Sequence, residues 1–319
     1  MSLLGFRGGM DPRQNGVRSM SLPTIGSTSM IDLDLLVIQL ANGLVIGMGY
    51  TLVAIGLTMV FGILGVLNFA HGEFFMLGAF VAYVFGELMG WPYVVSSVVA
   101  IVLVMAISFL FELISVRPFM ERDPEMTLLS TFAASLILMN LVEVIWGNTP
   151  LPLNTPFSKP LDLLFLVLTA QRILILLVGA VGVILLGLFL KFTKMGKVIR
   201  ATAQNKKASA LVGINIKKVY RLTFAAGTGL AAIAGVLIAP LSNLYASMGQ
   251  GMVLKGFVVV ILGGLASVPG AILGGLTLGI TEAIAAGYVS SAWKDVIGFS
   301  ILIIILLLRP QGLMGRREA

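Results

Sequence analysis

The chain contains long runs without a charged side chain, and these runs constrain its fold more than any other feature. A helix needs about 20 apolar residues to cross the hydrocarbon core of a bilayer, and most of the runs reach or approach that length. We therefore predict membrane-spanning helices near residues 33–67, 71–90, 92–114, 127–147, 171–190, 222–245, 253–267, 270–288 and 294–308.

The number of spans is open between eight and ten because the first segment is unusually long. As one helix, residues 33–67 would extend about 52 Å at 1.5 Å per residue. They form either one tilted helix or two shorter helices broken at glycines. Some of the other segments are short enough to be broken or re-entrant. The predicted fold class is an all-α polytopic membrane protein.

Composition agrees with this fold class. Hydrophobic residues make up 58% of the chain and charged residues 11%, whereas soluble domains average about 25% charged. The chain has no cysteine and one histidine, which excludes disulfides, Cys-based metal centres and His-rich metal sites. No G-x-x-x-x-G-K-[ST] pattern occurs. We expect no metal, no cofactor and no nucleotide hydrolysis on this chain.

The net charge of +7 is concentrated in one segment. Residues 191–221 contain no acid and carry nine cations: Lys191, Lys194, Lys197, Arg200, Lys206, Lys207, Lys217, Lys218 and Arg221. Lysine and arginine collect in cytoplasmic loops, so we place this segment in the cytoplasm and expect no nucleic-acid partner. We place the C-terminal tail, with Arg309, Arg316 and Arg317, on the same side.

The polar segments outside the spans are of two kinds. Residues 1–30 lack an apolar core and form a predicted disordered tail; Met1, Met10, Met20 and Met30 are each a possible start. Residues 31–319 form the transmembrane domain. Residues 148–170 contain four prolines that forbid a regular helix, and we place them outside the cell membrane.

Within the basic segment, alanines and basic residues favour a helix over residues 197–211. Gly196 precedes this helix and Gly213 is placed to end it. Val198, Ala201, Ala208 and Val212 fall on one side, so the helix is suited to docking in a groove of a partner. The alternative is a solvated basic loop that only sets the topology.

Asn68, His71 and Glu73 lie between two apolar segments. Ionisable groups at membrane depth are costly and are usually functional. The alternative, which we favour, is a turn at the interface whose His71 and Glu73 cap the next helix. Pro269 and Gly270 mark the matching turn in the second half, and residues 63–67 and 261–265 suggest a faint internal repeat.

Small residues and interfacial charges supply two packing predictions. Gly43-x-x-x-Gly47 and Gly270-x-x-x-Gly274 have the spacing with which helices approach closely in lipid. Their glycines predict tight packing or, alternatively, interfaces that slide or a helix break that lines a pathway. Lys294 and Asp295 are predicted to pair where the last span begins. Glu112, Glu143 and Glu282 are too scattered to predict a proton relay.

Several motifs occur in order along residues 35–315. They are Asn42-Gly43, Val66-Leu67-Asn68-Phe69-Ala70-His71-Gly72-Glu73, Met195-Gly196, Arg200-Ala201, Leu211-x-Gly213-Ile214-Asn215, Leu262-Gly263-Gly264, Val268-Pro269-Gly270-Ala271 and Arg309-Pro310-x-Gly312-Leu313-x-Gly315. In these motifs the chain resembles the permease subunits of branched-chain amino acid ABC importers, closest to the LivH type.

This resemblance implies a fold like that of type II ABC importer permeases, in a bacterial inner membrane. It implies a second permease of the LivM type, two cytoplasmic ATPases that bind the ATP, a periplasmic binding protein and surrounding membrane lipid. The ATPase-coupling helix would run from Gly196 to Gly213 and include Arg200, Ala201, Ala203, Asn205, Ala208 and Leu211. The membrane turns, with Asn68, His71, Gly72, Glu73, Pro269 and Gly270, could line the pathway.

Three alternatives remain open at this point. Urea or short-amide permeases look alike in these motifs. A secondary transporter driven by ions would work without ATPases and would need a functional acid near the middle of the membrane. A membrane enzyme or assembly scaffold lacks support, because the sequence shows no cluster of catalytic groups.

Overall fold

The computed structural model describes residues 33–120, 124–163 and 166–315, and within these ranges the chain is mostly helical. The predicted tail, residues 1–30, lies outside the described residues, as do Arg316 and Arg317. The helices are α1 (Leu33–Leu64), α2 (His71–Tyr83), α3 (Tyr93–Phe111), α4 (Arg117–Met120), α5 (Pro124–Trp146), α6 (Ala170–Phe192), α7 (Lys194–Gln204), α8 (Lys206–Leu211), α9 (Ile216–Ile238), α10 (Met248–Gly263), α11 (Val268–Tyr288) and α12 (Lys294–Leu308).

The all-α membrane fold predicted from the apolar runs is confirmed. Each of the nine predicted segments coincides with a helix, and six of the described helices are long and apolar enough to cross a bilayer. The first segment is a single helix of 32 residues, not two short ones. Helices α2, α10 and α12 are shorter, with 13, 16 and 15 residues.

Two helices continue through a π-helical turn. Val84–Leu88 extends α2, and Glu112–Val116 joins α3 to α4. A π turn rotates the following residues relative to a regular helix and occurs often at functional positions. The second of these turns buries Glu112, whose carboxylate forms an ion pair with Arg117 at 2.9 Å.

Glycines let α1 and α11 approach until their backbones touch. A Cβ atom at Gly43 would lie 3.0 Å from the carbonyl oxygen of Gly279, and one at Gly47 would lie 2.9 Å from that of Gly275. Without a hydrophobic drive between helices in lipid, such close packing is what holds them together. The tight packing predicted for the Gly43-x-x-x-Gly47 pattern is therefore observed.

The packing of the two halves of the chain is reciprocal. Helix α2 packs on α9 and α3, whereas α10 packs on α1 and α11. The contact of α3 with α9 likewise corresponds to the contact of α11 with α1. Helices α2 and α10 also contact each other. Duplicated halves pack in this way in many transporter folds. The matched segments 63–67 and 261–265 lie at the C-terminal ends of α1 and α10.

The two ends of the bundle differ in character. We call the end that carries α7, α8 and the C-terminus of α1 the basic end. Residues after α12 pack there, since the amide of Leu313 donates to the carbonyl oxygen of Leu262. At the opposite end Leu151 pairs with Leu244, and strands β1 (Pro160–Leu163) and β2 (Leu166–Thr169) pair antiparallel. Residues 148–159 form no helix, as their prolines predict.

Candidate functional site

The basic segment folds into two short helices, which corrects the single helix predicted over residues 197–211. The Thr193 hydroxyl accepts a hydrogen bond from the amide of Gly196, so α7 begins three residues early, at Lys194. Asn205 has an extended backbone, and its side chain accepts from the amide of Ala208. Because asparagine is a strong N-cap, it ends α7 and starts α8.

Most of the predicted coupling residues are exposed. We group them as the α7–α8 surface, which consists of Arg200, Ala201, Ala203, Asn205, Ala208, Leu211 and Gly213. Gly196 is the exception, because it is buried against the backbone of Leu190 in α6. The opposite side of the two helices carries the buried residues Ile199, Thr202 and Ser209.

The α7–α8 surface presents apolar side chains to solvent at its end. Leu211 is 89% exposed and Val212 is 77% exposed. Gly213 follows with a φ of +84°, and the amide of Ile214 closes the turn onto the carbonyl oxygen of Ser209. Only glycine adopts this conformation readily. An exposed apolar tip in a basic, otherwise polar segment is typical of a surface that docks a partner.

One side chain ties this surface to the centre of the bundle. The ammonium group of Lys206 donates a 3.0 Å hydrogen bond to the carbonyl oxygen of Leu64, the last residue of α1. It also lies 5.7 Å from the ring centroid of Tyr220 in α9. Partial burial lowers the pKa of Lys206 below its ordinary value. Nothing in the sequence distinguishes this lysine from its eight basic neighbours, so the contact was not predicted.

The residues around His71 form a second, buried site, which we call the α2–α10 junction. His71 and Glu73 are fully buried in the first turn of α2, and the Ser135 hydroxyl of α5 donates to Glu73 at 2.9 Å. A Cβ atom at Gly249, in the first turn of α10, would lie 2.7 Å from the Glu73 carboxylate. The N-terminal ends of two helices therefore meet around buried polar groups.

The capping role predicted for His71 and Glu73 is wrong. Ala70 is the residue before α2, and no side chain caps the helix there. The side-chain oxygen of Asn68 instead accepts from the amide of Ala70 at 3.1 Å, which closes the turn. The two ionisable side chains point into the bundle because the first turn of α2 is enclosed by α1, α5 and α10.

Pro269 and Gly270 lie apart from the α2–α10 junction. Both lie in the first turn of α11, where the Ser267 hydroxyl accepts from the amide of Gly270 at 3.1 Å. Proline suits this position because its missing N–H would be unpaired anyway. Gly270 packs against the backbone of Gly263, and Pro269 is exposed. These two residues close the α10–α11 hairpin at the basic end and do not join the α2–α10 junction.

A partly buried ionic cluster connects four helices, and it was not predicted from the sequence. Lys255 of α10 forms ion pairs with Glu282 of α11 and with Asp295 of α12, the latter at 2.7 Å. The Tyr50 hydroxyl of α1 donates to Glu282 at 2.8 Å. Asp295 therefore pairs with Lys255, and the predicted pairing of Lys294 with Asp295 is wrong. A lone lysine between two apolar runs was the signal that could have found this cluster.

Changing Gly72 to alanine is expected to lower the free energy of unfolding by about 1–3 kcal/mol, the usual cost of overpacking. A Cβ atom there would collide with the carbonyl oxygen of Gly249 and lie 2.8 Å from the Val253 Cβ. Gly251 of α10 provides the matched control, since a Cβ atom there meets nothing within 4 Å. Thermal unfolding in detergent measures both variants, and equal stability of the two would contradict the packing at the junction.

The chain is similar to a known protein family over most of its length. The family described as "Branched-chain amino acid transport system / permease component" matches residues 39–306. This range begins in α1 and ends in α12. It therefore includes the α7–α8 surface, the α2–α10 junction and the ionic cluster.

Individual relatives agree with this match. The chain is 36% identical to the high-affinity branched-chain amino acid transport system permease protein LivH of Escherichia coli, over 88% of this chain and 96% of that protein. It is 28% identical to a probable LivH of Methanocaldococcus jannaschii over 83% of this chain. The structure of PsaBC from Streptococcus pneumoniae in complex with Fab has 15% identity and a TM-score of 0.50, covering 87% of this chain and 92% of that one. This likeness concerns the fold.

Proposed function

Because the chain belongs to the family of permease components of branched-chain amino acid transport systems, we propose that it is a membrane-spanning subunit of an ATP-driven importer for branched-chain amino acids. The observation that carries the proposal is the α7–α8 surface. It exposes small and apolar residues to a partner, while its buried side is fixed to the helix bundle.

The contacts of this surface support a mechanical role. Lys206 holds the C-terminus of α1, and Gly196 packs on α6. A push on the surface by an ATPase would therefore move α1 and α6 together. Helix α1 packs closely on α11, so the movement would reach the second half of the chain. Rigid-body transitions of this kind convert a local event into alternating access.

The proposed partners follow from the family and from the functions that ATP-driven import requires beyond a single permease subunit. Two ATPases would supply hydrolysis, a second permease would complete the pathway, and a periplasmic binding protein would deliver the substrate. Selection of a neutral, branched side chain would then rest mainly with the binding protein.

The proposal places the basic end in the cytoplasm of a bacterial cell, which cysteine labelling can test. The native chain has no cysteine, so each single substitution gives one reactive thiol. Ala203→Cys lies on the α7–α8 surface, and Ser158→Cys lies at the opposite end; both positions are exposed. We expect an impermeant maleimide to label Ser158→Cys in intact cells and Ala203→Cys only after permeabilisation. The reverse pattern would overturn the orientation.

Co-purification tests the proposed assembly directly. The chain is tagged at its C-terminus and purified from its native membrane in a mild detergent, and the accompanying proteins are identified by mass spectrometry. We expect a second permease and two nucleotide-binding subunits. The binding protein encoded with them is expected to bind leucine, isoleucine or valine in calorimetry. Binding of urea or a short amide instead would contradict the proposed substrate, and the absence of ATPases would contradict the proposed mechanism.

A further inference from the structure

Two neighbouring cavities open at the basic end, between the end of α3 with α4 and the start of α9. One has a volume of about 350 Å³ and the other about 480 Å³, and Arg117 and Lys217 line both. The larger cavity is bounded by Phe109 of α3 and Leu222 of α9, whereas the smaller one reaches Lys206 of α8.

The linings of these cavities are strongly basic. Five cations contribute to them: Arg117, Lys206, Lys217, Lys218 and Arg221. Among the described lining residues the acid is Glu112, which is 1% exposed and already paired with Arg117 at 2.9 Å. Arg221 lies 3.9 Å from the same carboxylate and has a side chain that is 45% exposed. The cavities therefore hold positive charge that Glu112 alone does not balance.

The surface next to the cavities is apolar. Leu110 on α3 is 60% exposed, and in the π turn that follows, Leu113 is 48% exposed and Ile114 is 68% exposed. Phe109 and Leu222 continue this apolar character into the larger cavity. A ligand that satisfies both features has an anionic head and long hydrocarbon chains.

We propose that these cavities bind the headgroup of an anionic phospholipid, with its phosphate between Arg117, Lys217, Lys218 and Arg221 and its acyl chains along the exposed face of α3. Basic pockets between transmembrane helices bind such headgroups because the membrane surface supplies the anion and the apolar anchor together. Arginine additionally offers a planar pair of donors that matches a phosphate. The bound lipid would brace the ends of α3 and α9 against each other, independently of which substrate is transported.

Native mass spectrometry of the tagged chain, purified with its accompanying subunits, tests the proposal. Delipidated protein is titrated with phosphatidylglycerol or phosphatidylcholine. The test variant is Lys217→Gln/Lys218→Gln/Arg221→Gln; Arg117 is kept because its loss would leave Glu112 buried and unpaired. The matched control is Lys191→Gln/Lys194→Gln/Lys207→Gln, which removes the same charge from the same segment but from residues that do not line the cavities.

We expect the wild type and the control to prefer phosphatidylglycerol. Each cation near an anionic headgroup contributes roughly fivefold in affinity, so the test variant should lose on the order of 100-fold. Unfolding temperatures measured in parallel establish that both variants fold. Equal binding of both lipids, or an equal loss in test and control variants, would overturn the proposal. Displacement of the lipid by millimolar inorganic phosphate would show an anion site that does not require a lipid, and would also overturn it.

Discussion

Replacing Leu211 with glutamate is expected to lower ATP-driven uptake severely while leaving the fold intact. The side chain is 89% exposed, and exposed substitutions usually change stability by no more than about 0.5 kcal/mol. In a docked complex, however, the same position would bury a charge in the groove of an ATPase. We expect uptake to fall by about 30-fold or more, the factor that corresponds to an interface anchor worth about 2 kcal/mol.

Two measurements separate lost docking from lost folding. Leu211→Met keeps an apolar side chain of similar size and is expected to retain uptake, and both variants should be recovered from the membrane in wild-type amounts. ATP hydrolysis by the purified complex should lose its coupling to substrate in Leu211→Glu alone. Wild-type uptake by the glutamate variant would show that the α7–α8 surface is not the docking site.

Replacing Lys255 with methionine is expected to lower the free energy of unfolding by about 3–5 kcal/mol, the cost of leaving a buried charge without its partner. Glu282 is 2% exposed and would retain the Tyr50 hydroxyl as its remaining partner in the cluster. The loss would loosen α1, α10, α11 and α12 at once. Unfolding by SDS in mixed micelles measures the effect.

The chain contains matched controls for this prediction. Asp295 pairs with the same lysine, but its side chain is 52% exposed, so Asp295→Asn should cost no more than about 1 kcal/mol. The double variant Lys255→Met/Glu282→Leu removes the charge together with its partner and should recover most of the loss. If Lys255→Met were as stable as Asp295→Asn, the ion pair of Lys255 with Glu282 would not stabilise the packing of these helices.

The helices themselves were predictable from the sequence for a simple reason. Hydrocarbon requires every backbone polar group to be bonded within the segment, so a long apolar run leaves little choice but a helix. Residues 171–190 and 270–288 match α6 and α11 within a few residues. Helix α9 begins at Ile216, six residues before the predicted start at residue 222. Its first two turns contain Lys217, Lys218 and Arg221, and these charges lie outside the apolar run from which the span was predicted.

The places where helices meet were much less predictable. Glu73 reaches Ser135 across 62 residues, and Lys255 reaches Glu282 and Asp295 on two other helices. No local pattern specifies such pairs, since each depends on how short helices are inserted between long ones. The break at Asn205 was predictable in principle from its capping preference, but the surrounding alanines favoured one continuous helix.

The candidate functional surface was predictable to a larger extent, because it depends on composition as well as on contacts. An acid-free basic segment with small residues predicted an exposed helix, and seven of the eight residues assigned to it are exposed. Their role in docking a partner stays a prediction. Gly196 differs because its small size serves packing against Leu190. Its exposure could not be judged without knowing where α6 ends.

The energy source of transport tests the central claim most directly. The measurement is uptake of labelled leucine by proteoliposomes that contain the complex purified through this chain, with its binding protein outside and ATP or no ATP inside. We predict uptake that requires enclosed ATP and continues when ionophores collapse the proton and sodium gradients. Uptake that proceeds without ATP and stops when those gradients are collapsed would contradict an ATP-driven permease.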